Sequence, residues 1–137
     1  MKLFLDSSAY AKRFLEEEGS GAVEALCLEA DELGLSVICV PEVVSALNRR
    51  LCEKGIERKD YLRAKQRLAL EVRDATIIQL TPEVVRFSIE VLENSPLRTL
   101  AALHIACALA WSADLFSSAD LRQLGAARRA GLATREV

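Results

Sequence analysis

The sequence predicts an α/β fold with a mostly parallel central sheet of about five strands and helices on both faces. Apolar runs and helix-forming stretches alternate along all 137 residues, a pattern typical of βα units. The runs 3–5 and 35–40 show no polar alternation, as expected of strands that are covered on both faces. A carboxylate follows each of these runs, Asp6 directly and Glu42 after Pro41.

The N-terminal half is predicted to form two strands and four helices. The helices start near residues 9, 20, 41 and 57 and end near residues 19, 33, 55 and 74. Ser7 or Ser8 can cap the first helix, and Gly34 can end the second. Pro41 suits the first turn of the third helix, because a missing N–H costs nothing there.

The C-terminal half continues the alternation. Strands are predicted at 75–80 and 114–118, with a possible edge strand at 132–137, and helices at 82–94, 98–111 and 121–130. Thr81, Pro82 and Glu83 form a typical helix start. Asp120 can open the last helix, and Gly131 ends it.

Composition limits the possible classes of protein. The formal charge is −2, but eight basic and three acidic residues fall between Arg49 and Arg67, which makes this stretch either a basic patch or a solvated helix face. The four cysteines lie in separate apolar segments without a Cys-x-x-Cys pair, which favours buried thiols. The short N-terminal apolar run predicts no signal peptide, and no run reaches the ~20 apolar residues of a membrane span. We therefore expect a cytoplasmic protein of one domain, residues 1–137.

Three carboxylates are predicted to meet at one edge of the sheet. Asp6, Glu42 and Asp120 each lie just past a predicted strand, and parallel strands share their carboxyl edge, where ligands bind. Carboxylates placed together repel unless a cation neutralises them, and Mg²⁺ or Mn²⁺ suits oxygen ligands. Such an ion can activate water for phosphodiester hydrolysis. Taken singly, each acid could instead be a helix cap or a surface charge, and for Asp120 alone the cap is the better interpretation.

Several segments together resemble a PIN domain, and among PIN domains the VapC-type toxins. The segments are 6–12, 41–49, 100–106, 118–120 and 126–131. The resemblance covers nearly the whole chain and implies a PIN-like three-layer fold. It also implies a Mg²⁺- or Mn²⁺-dependent endoribonuclease with an RNA substrate, held inactive by a cognate antitoxin protein and often a homodimer.

The resemblance assigns three of the family's four acidic positions. Asp6, Glu42 and Asp120 match catalytic acids, with Asp6 and Asp120 as metal ligands. The fourth position is Ala101, where the family usually carries an aspartate, so the ligand position is vacant. An engineered substitution and a naturally weakened chain both explain this alanine. His104, one turn further along the same helix, is interpreted as a packed histidine rather than a ligand.

Four further residues are candidate contacts to substrate or water: Ser7, Ser118, Arg49 and Arg98. Phosphate contacts by such residues give affinity but little sequence selectivity.

Other function classes remain as alternatives. The vacancy at Ala101 favours a catalytically inactive PIN-fold module that binds RNA or a protein partner. A receiver or phosphatase domain also places acids at strand ends, but no lysine follows Lys65 in this chain. A dinucleotide-binding domain is excluded, because no Gly-x-Gly-x-x-Gly follows the first strand.

Overall fold

The central sheet has five parallel strands in the order β3-β2-β1-β4-β5. The computed structural model describes residues 1–137. The strands are β1 (Lys2–Leu5), β2 (Glu32–Ser36), β3 (Thr76–Ile78), β4 (Leu115–Ser118) and β5 (Thr134–Glu136). This architecture confirms the predicted α/β fold with a parallel sheet.

Seven helices connect the strands. They are α1 (Ser7–Ala11), α2 (Ser20–Glu29), α3 (Cys39–Cys52), α4 (Arg58–Asp74), α5 (Pro82–Asn94), α6 (Thr99–Trp111) and α7 (Leu121–Arg129). None of them combines the length and the apolar character needed to cross a bilayer.

Two hydrophobic cores lie on opposite faces of the sheet. On β1, Leu3 and Leu5 point into the core that also holds Leu35 and Leu47, whereas Phe4 points into the other core and stacks on Phe116. All three β1 side chains are fully buried. Helices on both faces therefore explain why the strand is apolar without alternation.

The direction of strand addition reverses at β1. The chain adds β2 and then β3 on one side of β1, and later adds β4 and β5 on the other. Beyond the carboxyl ends of β1 and β4 this reversal leaves a crevice, the place where α/β sheets bind ligands. Asp6 lies there, and its N–H donates to the Ser117 carbonyl across the β1–β4 pair at 3.2 Å.

The predicted bounds of the second helix and second strand were wrong. Helix α2 ends at Glu29 and β2 runs over Glu32–Ser36, so Gly34 lies inside the strand instead of ending a helix. A tertiary contact explains the glycine within the strand: a Cβ at Gly34 would lie 2.5 Å from the ring of Trp111, so only glycine admits this indole. Helix α3 accordingly begins at Cys39, with Pro41 still in its first turn.

The first helix is also shorter than predicted. It ends at Ala11, where the N–H of Lys12 turns back to the Ala9 carbonyl, and residues 12–19 form turns and irregular backbone. Asp114 precedes β4 at the opposite edge of the sheet and accepts from the Lys2 N–H at 2.7 Å.

Gly34→Ala should destabilise the protein by about 1–3 kcal/mol, because the new methyl group must displace the Trp111 ring. The matched control is Gly21→Ala in α2, where an added Cβ meets nothing within 4 Å. That control should be neutral or gain up to about 1 kcal/mol from helix propensity. Urea unfolding of both variants measures the difference, and equal stabilities would show that Trp111 does not require the glycine.

Candidate active site

Asp6 is the buried centre of the crevice. It caps α1 by accepting the Ala9 N–H at 2.9 Å, and only 4% of the residue is exposed. Its carboxylate also accepts from Ser8 Oγ at 2.8 Å and from Ser118 Oγ at 2.9 Å. Each carboxylate oxygen therefore already has a hydrogen-bond donor from the protein.

Burial dominates the ionisation of Asp6. It raises the pKa of this carboxyl above the usual range, and the hydrogen bonds from Ala9, Ser8 and Ser118 offset only part of that rise. The folded chain thus holds Asp6 in the crevice where burial disfavours its ionised form, a common property of functional carboxylates.

A row of close polar contacts runs from Asp6 to Ala101. Ser118 Oγ lies 2.9 Å from Asp6 Oδ2 and also 2.9 Å from Gln123 Oε1. The Gln123 Nε2 group donates to the Ala101 carbonyl at 3.1 Å, which orients the amide. Since one hydroxyl carries one proton, Ser118 cannot donate to both acceptors at once. Ala101, in the first turn of α6, is therefore two side chains away from the Asp6 carboxylate.

Glu42 belongs to a second, separate network. Its Oε1 accepts from Ser7 Oγ at 2.7 Å and lies 2.6 Å from His104 Nε2. Burial opposes ionisation of Glu42, but the hydrogen bonds from His104 and Ser7 outweigh it and hold its pKa below the usual range. Glu42 is consequently a carboxylate at neutral pH.

His104 is buried in α6 and faces Glu42. Its Nδ1 has no hydrogen-bond partner, whereas Nε2 contacts the carboxylate. This geometry favours the tautomer with the proton on Nε2. Nδ1 then leaves only a buried lone pair without a partner, whereas the other tautomer would leave a buried N–H without one. His104 thus fixes one oxygen of Glu42.

Asp120 stands apart from both networks. It is exposed and caps α7, accepting from the Arg122 N–H at 2.9 Å and the Gln123 N–H at 3.3 Å. Its own N–H donates to Ser118 Oγ at 2.9 Å, so its backbone touches the Asp6 network although its side chain does not.

The carboxyl edge of the sheet therefore carries all three predicted acids in three different environments. No group of three or more histidine, cysteine, aspartate or glutamate side chains is arranged to hold a metal ion. The oxygen donors suit a hard cation in kind. They do not fit a tightly held one, since Asp6 is saturated with donors, Glu42 is held by His104, and position 101 offers no carboxylate.

A cleft of about 400 Å³ opens beside Glu42, between α1 and α3. Its lining includes the candidate contacts Ser7 and Arg49, together with Ser8, Lys12 and Arg50. Ser118 is buried in the Asp6 network instead, and Arg98 is exposed at the start of α6.

Sequence reasoning missed three contributors to these networks. They are His104, Ser8 and Gln123. For His104 a signal was present: Ala101 and His104 lie three residues apart on α6 and so share a face. Ser8 and Gln123 had no such signal, because their roles depend on side chains that are distant in sequence.

Comparison with known families decides the assignment. The family model described as PIN domain matches residues 3–129. The chain belongs to the PIN domain family. This confirms the family predicted from the motifs. A comparison with curated protein sequences found no match to this PIN chain.

Solved structures show the same fold. VapBC2 from Rickettsia felis, bound to a promoter DNA fragment, matches with a TM-score of 0.72 at 12% identity over 100% of this chain and 99% of the other. VapC20 from Mycobacterium tuberculosis, a toxin that cleaves the sarcin–ricin loop, matches with a TM-score of 0.70 at 16% identity over 95% of each chain. FitAcB from Neisseria gonorrhoeae matches with a TM-score of 0.70 at 14% identity over 96% of this chain and 95% of the other.

Asp6→Asn should stabilise the metal-free PIN chain at pH 7 by about 0.5–2 kcal/mol. The folded state raises the pKa of Asp6. The unfolded chain therefore loses this proton first, and Asp6 lowers stability once the pH exceeds about 4. Asparagine keeps the helix cap and removes the charge. Urea unfolding at pH 7 and near pH 4 should show a gain that shrinks on acidification.

The control for this prediction is Asp120→Asn, an exposed cap whose replacement should change stability by less than about 0.5 kcal/mol. A loss of stability in Asp6→Asn at pH 7 would contradict the buried-charge interpretation.

His104→Leu should raise the pKa of Glu42. With the Nε2 donor gone, burial acts against a single remaining donor, Ser7. His104→Gln is the matched variant, because its amide can still donate and the shift should be smaller. Carboxyl ¹³C NMR titration measures both, and an unchanged pKa in His104→Leu would show that the histidine does not hold the carboxylate.

Proposed function

We propose that this PIN chain is the toxin component of a toxin–antitoxin pair. In this proposal it is a Mg²⁺- or Mn²⁺-dependent endoribonuclease whose activity is weakened at Ala101. The observation that carries the proposal is the row of close polar contacts from Asp6 through Ser118 and Gln123 to the Ala101 carbonyl. It supports position 101 as the place where a second carboxylate would face Asp6.

The proposed roles follow from these positions. Asp6 and Asp120 are the ligands left for the ion, and Glu42 is the acid kept ionised by His104. Ser7 and Arg49 line the adjoining cleft as substrate contacts. Ser118 positions Asp6, and Arg98 at the exposed start of α6 contacts a more distant phosphate.

The proposed partners are a cognate antitoxin protein, an RNA substrate and a second copy of the chain, in the cytoplasm. Similarity to toxin–antitoxin assemblies supports the first: structures of this fold include a toxin–antitoxin complex from Klebsiella pneumoniae and VapBC2 of Rickettsia felis. The sarcin–ricin loop cleaved by VapC20 is an RNA, which supports RNA as the substrate class.

A second candidate is a catalytically inactive PIN module that binds RNA or a protein. Two observations favour it: both oxygens of Asp6 are already hydrogen-bonded, and no cluster of metal-ligating side chains forms. The two candidates differ in whether a single carboxylate at position 101 is enough to produce cleavage.

Ala101→Asp should bind Mn²⁺ more tightly and cleave RNA faster than the parent chain, each by more than about tenfold. Outer-shell contacts alone already change metal affinity or activity by that much, so a restored ligand should do at least as well. Calorimetry with Mn²⁺ and cleavage of labelled RNA, with and without EDTA, measure the two effects.

Ala101→Asn is the matched control, because it adds the same shape without the charge and should remain as weak as the parent. Adding Asp6→Asn to Ala101→Asp should abolish the gain. Equal cleavage by Ala101→Asp and the parent chain would reject position 101 as the missing ligand and leave the non-catalytic module as the function.

A further inference from the structure

Two cations of the cleft beside Glu42 share one carboxylate. Lys12 follows α1 and Arg50 lies on α3, and between them Glu17 approaches both. The Lys12 Nζ to Glu17 Oε1 distance is 3.7 Å, and the Arg50 Nη1 to Glu17 Oε2 distance is also 3.7 Å. Glu17 belongs to the turn segment 12–19, so this loop side chain reaches across the mouth of the cleft.

These two ion pairs are weak ones. At 3.7 Å neither is a hydrogen bond, and the Glu17 side chain is 32% exposed. The Lys12 side chain is only 11% exposed, but its ammonium donates to the Glu18 carbonyl, so Glu17 is not its main partner. Arg13, by contrast, reaches both oxygens of Glu71 at 2.9 and 3.0 Å. Ion pairs that are long and partly open to solvent contribute little to stability. Glu17 can therefore leave its cations at small cost.

The charges lining the cleft cancel while Glu17 stays in place. Three basic residues face three acidic ones: Lys12, Arg49, Arg50, Glu17, Glu42 and Glu53. Once Glu17 turns outward, the remaining lining is net positive. Arg50 and Lys12 can then bind a phosphate with charge-assisted hydrogen bonds, which are stronger than the long pairs they replace.

The position of the cleft favours RNA as the occupant. Its lining runs from the Lys12–Arg50 pair to Ser7, Ser8 and Glu42 at the carboxyl edge of the sheet. A strand whose phosphates lie on the cations would thus reach the acids of the candidate site. Only four of the twelve lining residues are hydrophobic, which suits a polar backbone better than an apolar protein segment.

We propose that Glu17 is an internal competitor for RNA: it holds Lys12 and Arg50 in the free protein and is displaced by backbone phosphates. RNA as the ligand rests on the proposed function, whereas the competitor adds a regulatory contact to it. The proposal requires no metal ion and no cleavage, so binding alone can test it.

The test is binding of a fluorescein-labelled single-stranded RNA by the full chain in EDTA, followed by anisotropy over a series of salt concentrations. Glu17→Gln should tighten binding about two- to fivefold, the equivalent of the released ion pairs. Each additional phosphate that the freed cations bind should steepen the salt dependence of binding by about 0.7 in slope. Thermal unfolding of each variant checks that the fold is kept.

Glu16→Gln is the matched control, since it removes the same charge from the neighbouring residue, which is exposed and has no ion pair. A smaller gain in Glu16→Gln than in Glu17→Gln supports the competitor, and equal gains overturn it as an effect of net charge alone. Arg50→Gln added to Glu17→Gln should remove the gain, and a retained gain also overturns the proposal.

The outcome is distinguishable from that of the proposed nuclease. If Ala101→Asp fails to cleave RNA while Glu17→Gln still binds it more tightly, the nuclease fails and the competitor stands. If no variant binds RNA even at low salt, or if an acidic peptide shows the Glu17 effect and RNA does not, the competitor is rejected.

Discussion

The buried carboxylate of Asp6 at the end of the central strand is the constraint on which the arrangement of the site depends. It joins β1 to α1 through the Ala9 N–H, and β1 to β4 through Ser118. Ser8 extends the same network to the Ala119 N–H, just before α7. Because burial opposes the charge of Asp6, hydrogen bonds from the surrounding hydroxyls are needed to keep its carboxylate buried in the folded chain. The elements that meet at the crevice are thus positioned by one anion.

That anion also explains how the PIN fold can keep its crevice with an alanine at position 101. Hydroxyl and amide groups connect the elements of the crevice: Ser118 and Gln123 carry the contact from Asp6 to the α6 backbone at Ala101. Glu42 is held independently by His104. The alanine at position 101 therefore leaves Asp6, Glu42 and Asp120 in place. The fold and the acids of the site can therefore vary separately, as expected when function resides in a site carried by a fold.

Asp6, Glu42 and Glu17 are each held where opposing effects act on their charge. Glu42 is ionised because two donors outweigh its burial, whereas for Asp6 burial outweighs three. In the neighbouring cleft, Glu17 balances cations that a phosphate would otherwise meet. In each case the folded chain holds a charge in a setting that a ligand could improve. Charges held in such unfavourable settings are typical of binding sites, where the folded state gives up stability for function.

Sequence alone determined the class of fold and the family, because apolar runs, caps and acids after strands are local signals. Asp120 could be recognised as a helix cap for the same reason, but α1 is capped by Asp6 and not, as predicted, by one of the serines after it. Tertiary structure decided what local signals cannot carry. The indole of Trp111 packs against Gly34 in the space that a Cβ would fill, and Glu42 pairs with a histidine 62 residues away. Side chains far apart in sequence set these contacts, so only packing shows that the three acids at the predicted edge of the sheet belong to separate networks.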